Sequence, residues 1–150
     1  MLFDEEMMLL AIEEAKKAAE IGEVPVGAVI VDETGEIIAT GHNLRETENR
    51  PTAHAEIVAI EKAALVKKSW RLTGCTLYVT LEPCPMCSGA IINSRIKTVV
   101  FGAYDTKAGS LGSIANFANI PYAYTPEVYG GISENECRDL LTEFFKDMRK

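Results

Sequence analysis

Thr76-Leu77-Tyr78-Val79-Thr80-Leu81-Glu82-Pro83-Cys84-Pro85-Met86-Cys87 runs a strand signal straight into a helix signal. Leu77, Val79 and Leu81 alternate with Tyr78 and Thr80, the two-residue period of a β-strand. Pro83-Cys84-Pro85 then opens a short helix to about Asn93, because proline is tolerated in a helix only at its first turn. Thr98–Phe101 is the next strand. Sixteen residues separate Leu81 from Thr98, enough for a right-handed crossover, so the two strands are expected to be parallel.

Upstream, residues 53–67 read as a helix with Ile57, Val58, Ala64 and Leu65 as its inner face. Val26–Val31 is a nearly continuous apolar run, as in a strand covered on both sides. Asp32-Glu33-Thr34-Gly35 turns it into a second strand at residues 36–40, making a hairpin. Residues 4–21 form a leading helix, with acids in the first turn, Met8, Ala11, Ile12, Ala15 and Ala19 at helical spacing, and Gly22 at the end.

Downstream, glycines and prolines between Tyr104 and Gly131 predict loops around a short helix near Ile114–Ala118 and a short strand near Val128. Ser133-Glu134-Asn135-Glu136 has the form of a capping box. Behind it Cys137, Leu140, Leu141, Phe144, Phe145 and Met148 make an apolar stripe expected to pack into the core. The expected fold class is α/β, a three-layer α/β/α sandwich on a mixed five-stranded sheet.

One domain over residues 1–150 is expected at this length. With 47% hydrophobic and 25% charged residues, the composition excludes disorder, collagen and coiled coil as whole-chain readings. No apolar run approaches the roughly 18 residues of a spanning helix, and Met1 leads into Asp4-Glu5-Glu6 rather than a basic signal region. A cytoplasmic protein with no membrane role is the expectation. The net charge of −7 is uneven: residues 1–36 carry −8 and the remainder +1. An acidic leading helix on a near-neutral body leaves room for a nucleic-acid partner.

Four cysteines in a chain of this kind do not make a disulfide scaffold. Cys75 and Cys137 stand alone, whereas Cys84 and Cys87 form a C-x-x-C at a helix start, with both sulfurs on one face. The helix dipole there favours thiolate, the form that binds zinc. The chain has two histidines, and His54, in Thr52-Ala53-His54-Ala55-Glu56 at the first turn of a helix, is the natural third ligand. His54 and Glu56 are two apart, so both reach one metal only if it lies off the helix end. Three ligands without an obvious fourth is the pattern of catalytic zinc, which keeps a position open for water. Glu56 is then placed to take a proton and pass it on. Zinc-assisted hydrolysis is the reaction class. A redox pair would leave H-x-E unexplained, and a structural zinc site would want four closed ligands.

His54-x-Glu56 followed by Pro83-Cys84-x-x-Cys87 is the signature of zinc deaminases. Longer blocks around it, Glu23–Ala28 (EVPVGA), Pro51–Ile57 (PTAHAEI), Thr76–Cys87, Ser94-Arg95-Ile96 and Val99–Ala103 (VVFGA), resemble the bacterial tRNA adenosine deaminases of the cytidine deaminase superfamily. That resemblance implies one zinc ion per subunit on His54, Cys84 and Cys87, with Glu56 as proton shuttle. It also implies conversion of adenosine to inosine at the wobble position of a tRNA anticodon stem-loop, and a homodimer. Asn43 matches a position that holds the target nucleotide, Val24 a pocket-wall position, and Asp105 a loop residue near the ribose of the preceding nucleotide. A carboxylate accepting from a 2′-OH would help distinguish RNA from DNA. His42 has no metal role in the pattern and is expected to be a loop side chain. Tyr122-Ala123-Tyr124-Thr125-Pro126 departs from the family, which often has an Asn-His-Arg-like stretch there. The alternative reading is a deaminase of a free base or nucleoside such as guanine, cytosine or adenosine. A non-catalytic zinc-stabilised module would have no use for Glu56.

Overall fold

The structure, a computed structural model, describes residues 2–148. In chain order it contains α1 (Leu2–Glu20), β1 (Gly27–Val31), β2 (Ile37–His42), α2 (Ala55–Lys67), β3 (Thr76–Leu81), α3 (Pro85–Asn93), β4 (Thr98–Ala103), a 3-10 turn at Phe117–Asn119, β5 (Glu127–Gly130) and α4 (Glu134–Met148). The five strands form one mixed sheet in the order β2-β1-β3-β4-β5. β1 is antiparallel to both β2 and β3, with Ala28 opposite Val79. β3, β4 and β5 run parallel, with Leu77 opposite Val99 and Val99 opposite Val128. β3 and β4, joined through α3, are therefore parallel, as their spacing in the sequence predicts.

Each of the central strands β1, β3 and β4 feeds two cores because its side chains alternate between faces. Ala28, Ile30, Leu77, Val79, Val99 and Phe101 pack beneath α2 and α3. Val29, Val31, Tyr78 and Val100 pack on the other side beneath Met7, Met8, Ala11 and Ile12 of α1, with Cys137 of α4. These are the three expected layers. The polar half of the β3 alternation is buried too, and each group is satisfied. Tyr78 donates to Asp4 Oδ1 at 2.7 Å, and Thr80 Oγ1 accepts from the Gly27 amide at 3.2 Å.

Gly27 lets α1 lie directly on β1. A Cβ there would fall against the Ala11 carbonyl oxygen and the Ala15 amide, both backbone atoms that cannot step aside. Gly27→Ala is expected to cost about 1–3 kcal/mol of stability, as overpacking does. A lower urea midpoint with unchanged slope is the measurement that checks it.

Several local expectations are corrected. α2 buries Ala55, Val58, Ala59, Ile60 and Ala63, while Ile57 and Ala64 are half-buried and Leu65 is 79% exposed. Close packing on the hairpin selects small residues, since Gly41 sits against the Ala55 carbonyl and Ala59 amide. His42 is not in a loop. It is the last residue of β2, and its Nδ1 lies 3.1 Å from Glu14 of α1, which also accepts from Lys17. The short helix is a 3-10 turn three residues later than expected. Ser133 adopts φ +54°, outside the extended conformation a capping box requires. On α4 only Cys137 is buried; Phe145 and Met148 are exposed. Beyond Cys137, Leu140 still packs against the α1 side of the sheet, and the helix borders a groove of about 720 Å³ against α1, lined by Leu9, Ile12, Leu140 and Phe144.

Candidate active site

At the carboxyl end of β3 the chain leaves the sheet and turns through Glu82 and Pro83 into α3. Cys84 caps that helix with an extended backbone (φ −76°, ψ 176°), and Pro85 follows where no helical N–H is needed. Cys87, one turn on, is fully buried. His54 faces them from the start of α2. Its backbone is extended (φ −70°, ψ 157°), so it caps the helix rather than lying in its first turn as expected. That single residue of extended chain carries the imidazole off the helix end. Glu56, inside the helix, can therefore sit beside the same spot.

His54 Nδ1 lies 3.7 Å from Cys84 Sγ and 3.5 Å from Cys87 Sγ. All three donor atoms lie within 4.8 Å of one another, the metal-binding grouping found among the described residues. Tetrahedral zinc, with bonds of about 2.3 Å to sulfur and about 2.0–2.1 Å to nitrogen, sets the N···S edge at about 3.6 Å. The residues fit the ion.

Electrostatics point the same way. A hydrogen bond from Cys87 draws the Cys84 thiol down to about 4; burial opposes this, and the His54 ring assists it. Cys87 is held up in return, by its bond to Cys84 and by burial. The hydrogen bond to Cys84 raises His54. An anionic sulfur thus stands at the positive end of a helix, the setting that favours a cation with soft ligands. Glu56 is 4% exposed, and burial raises its carboxyl to about 7 against the field of His54.

A cavity of about 200 Å³ opens onto this cluster, lined by Val24, Asn43, His54, Glu56, Cys84 and Asp105 among others. It is smaller than the roughly 300–1,000 Å³ of drug-sized ligand sites, so it suits one flat ring system with the rest of a substrate outside. Asn43 is buried; its Nδ2 donates to the Val24 carbonyl at 3.4 Å, and its Oδ1 accepts from the Arg45 amide at 3.2 Å. Asp105 Oδ1 accepts from the Lys107 and Ala108 amides at 2.9 and 3.1 Å, so this oxygen folds its own loop. All seven residues singled out in the sequence meet here, Cys87 behind the cavity wall. Arg45, Ala108 and Glu82 also line the cavity and were missed. Arg45 follows Asn43 by two in the same loop, and Glu82 stands between the strand end and the first cysteine. Position beside a recognised residue was the available signal for both.

Residues 1–103 match the family described as cytidine and deoxycytidylate deaminase zinc-binding region. The tRNA-specific adenosine deaminase of Bacillus subtilis (strain 168) is 53% identical over 148 residues, covering 98% of this chain and 91% of that protein. A solved structure from a study of A-to-I editing by tRNA:A34 deaminases at the wobble position of transfer RNA superposes with a TM-score of 0.87. It is 43% identical and covers 91% of this chain and 99% of the other. The guanine deaminase of Nitrosomonas europaea is more distant, at TM-score 0.79 and 25% identity over 93% of this chain and 83% of that one. With its zinc-ligand pattern on the matching sheet and its near full-length identity to these proteins, the chain belongs to the zinc-binding cytidine and deoxycytidylate deaminase family, in the group of tRNA-specific adenosine deaminases.

Proposed function

We propose that this chain, as one deaminase domain over residues 1–150, hydrolyses adenosine to inosine at the wobble position of a tRNA anticodon loop. The observation that carries this reading is a zinc-shaped trio of His54, Cys84 and Cys87 beside a buried carboxyl, at the floor of a cavity sized for one base. His54, Cys84 and Cys87 hold one zinc ion per subunit. When bound, zinc acts as a Lewis acid that brings a water molecule's pKa toward about 7.

Glu56 does the proton work. Its carboxylate takes a proton from the attacking water and hands it to the ring nitrogen beside C6 of the adenine. It then takes the proton of the new hydroxyl on C6 and delivers it to the departing amine. The C6–N bond breaks, ammonia leaves and the oxygen of water becomes the carbonyl of inosine. Asn43 and Val24 hold the base, and Asp105 faces the sugar preceding it. Anticodon loops suit such a site because an unstacked base enters it at lower cost than one drawn from a duplex.

A homodimer fits the exposed Leu65 and Val66 on α2, at 79% and 59% exposure. No helix among the described residues is long and apolar enough to cross a membrane. A tRNA substrate fits work in the cytoplasm.

The zinc-loaded protein is expected to form inosine in an anticodon stem-loop carrying adenosine at the wobble position, read by mass spectrometry of the digested RNA. The small cavity also accommodates a free base, which keeps a small-molecule deaminase as the second reading. Turnover of guanine or cytosine with an inert stem-loop would establish that reading instead. Asp105→Asn keeps the oxygen that caps Lys107 and Ala108 while removing the charge. It is expected to lower the ratio of RNA to DNA activity by about tenfold, the size of one lost charged hydrogen bond to a 2′-OH. An unchanged ratio removes Asp105 from that role.

A further inference from the structure

The reaction leaves unused a buried carboxylate two residues before the first cysteine. Glu82 is 2% exposed, and no ion pair to it occurs among the described residues. Its partners are all donors from one loop. Glu82 Oε1 accepts from the Asp105 amide at 3.1 Å and from the Ser113 hydroxyl. Oε2 accepts from the Leu111 and Ser113 amides at 3.1 and 3.0 Å. A buried carboxylate with three amides and a hydroxyl is fully satisfied, and removing it strands the buried Leu111 amide and unties the part-buried donors of Asp105 and Ser113.

These bonds grip the loop at both ends, at Asp105 and at Leu111 and Ser113. Between them Asp105 and Ala108 line the cavity. The Ser110 amide donates to the Pro83 carbonyl at 2.9 Å, so the loop is tied to the same short stretch twice. Gly109 passes so close that a Cβ there would meet the Glu82 carboxyl group and the Asp105 carbonyl. Glu23, 1% exposed, is used similarly near the opposite wall. It accepts from the Glu46 and Thr47 amides at 3.2 and 2.6 Å, just beyond Asn43.

We propose that Glu82 is a positioning residue, holding the Asp105–Ser113 loop in register with the Cys84 end of the site and thereby setting substrate affinity. This rests on the deaminase reading above for what the loop touches. It assigns no proton transfer and no metal contact to Glu82.

Glu82→Gln keeps the size but offers one acceptor and faces the loop amides with an NH2. It is expected to raise KM at least about tenfold, with kcat within about threefold and zinc content unchanged. Gly109→Ala pushes the loop off the carboxylate from the other side and is expected to reproduce that pattern, which keeps the test alive if Glu82→Gln fails to fold. Glu82→Asp, which retains the charge, is expected to lie between wild type and Glu82→Gln. Amide hydrogen exchange gives a readout without substrate. Asp105, Leu111 and Ser113 should lose protection in Glu82→Gln while β3 and α3 keep theirs. An unchanged KM in both variants, a fall in kcat with zinc loss at constant KM, or unchanged loop protection would each overturn the proposal. A wild-type protein inert on the stem-loop overturns the substrate reading alone. The exchange result still stands, and KM is then compared on the base that does react.

Discussion

Glu56→Ala is expected to lower turnover of the stem-loop by roughly 10²–10⁴-fold, the contribution of a positioned general acid–base group. Zinc content and the thermal midpoint should stay close to wild type, because Glu56 is not one of the three donors. Its surroundings explain why no other group can substitute. The carboxyl is 4% exposed, packed beside His54 and away from bulk water, so solvent cannot deliver the proton at the same rate. Glu56→Gln is the sharper variant, since it preserves the shape and removes only the ionisable oxygen. The two measurements are single-turnover inosine formation and zinc by atomic emission. Surviving activity with full zinc occupancy in either variant would show that the proton travels by another route.

Cys87→Ala is expected to produce a different pattern, with zinc and activity lost together. Supporting residues outside a metal's ligand set cost about 10–100-fold in affinity when removed, so deletion of a buried sulfur ligand should exceed that range. Zinc bound to the native state also stabilises it, so the thermal midpoint of zinc-loaded wild type should fall on chelation and recover on adding zinc back. The variant should respond to neither treatment. Retained stoichiometric zinc in Cys87→Ala would mean that another group completes the site. Together the two variants separate the proton carrier from the metal cradle.

The parts of this architecture legible in the sequence are those governed by local rules. β3 could be read because strict alternation is the two-residue period of a strand, and β1 because an apolar run rich in Val and Ile, ended by a turn after six residues, is too short for a helix. The start of α3 could be read because proline beside Cys84 fits only a helix's first turn. The three candidate metal ligands could be picked out for chemical reasons, since few residue types bind zinc and the chain has two histidines to choose from, and the structure brings their donor atoms together. The face of α2 was not legible. Large apolar side chains pointed to Leu65, whereas tight packing over Gly41 gave the inner face to alanines. The stripe on α4 was periodic, but periodicity says which residues share a face and not whether another element covers it. His42 was missed because its partner, Glu14, lies 28 residues away on a helix packed against the hairpin.

The sequence by itself determined the chemistry. It carried the imidazole, two thiols and one carboxyl in the spacing of a hydrolytic zinc site, on helix starts that favour negative charge. Tertiary structure alone decided how that chemistry is held. The extended backbone of His54, the two loops hung from Glu23 and Glu82, and the uncovered end of α4 all depend on groups far apart in the chain. Hydrogen bonds to a buried carboxylate and contact between helices are long-range interactions, and they leave no period in the residues that make them.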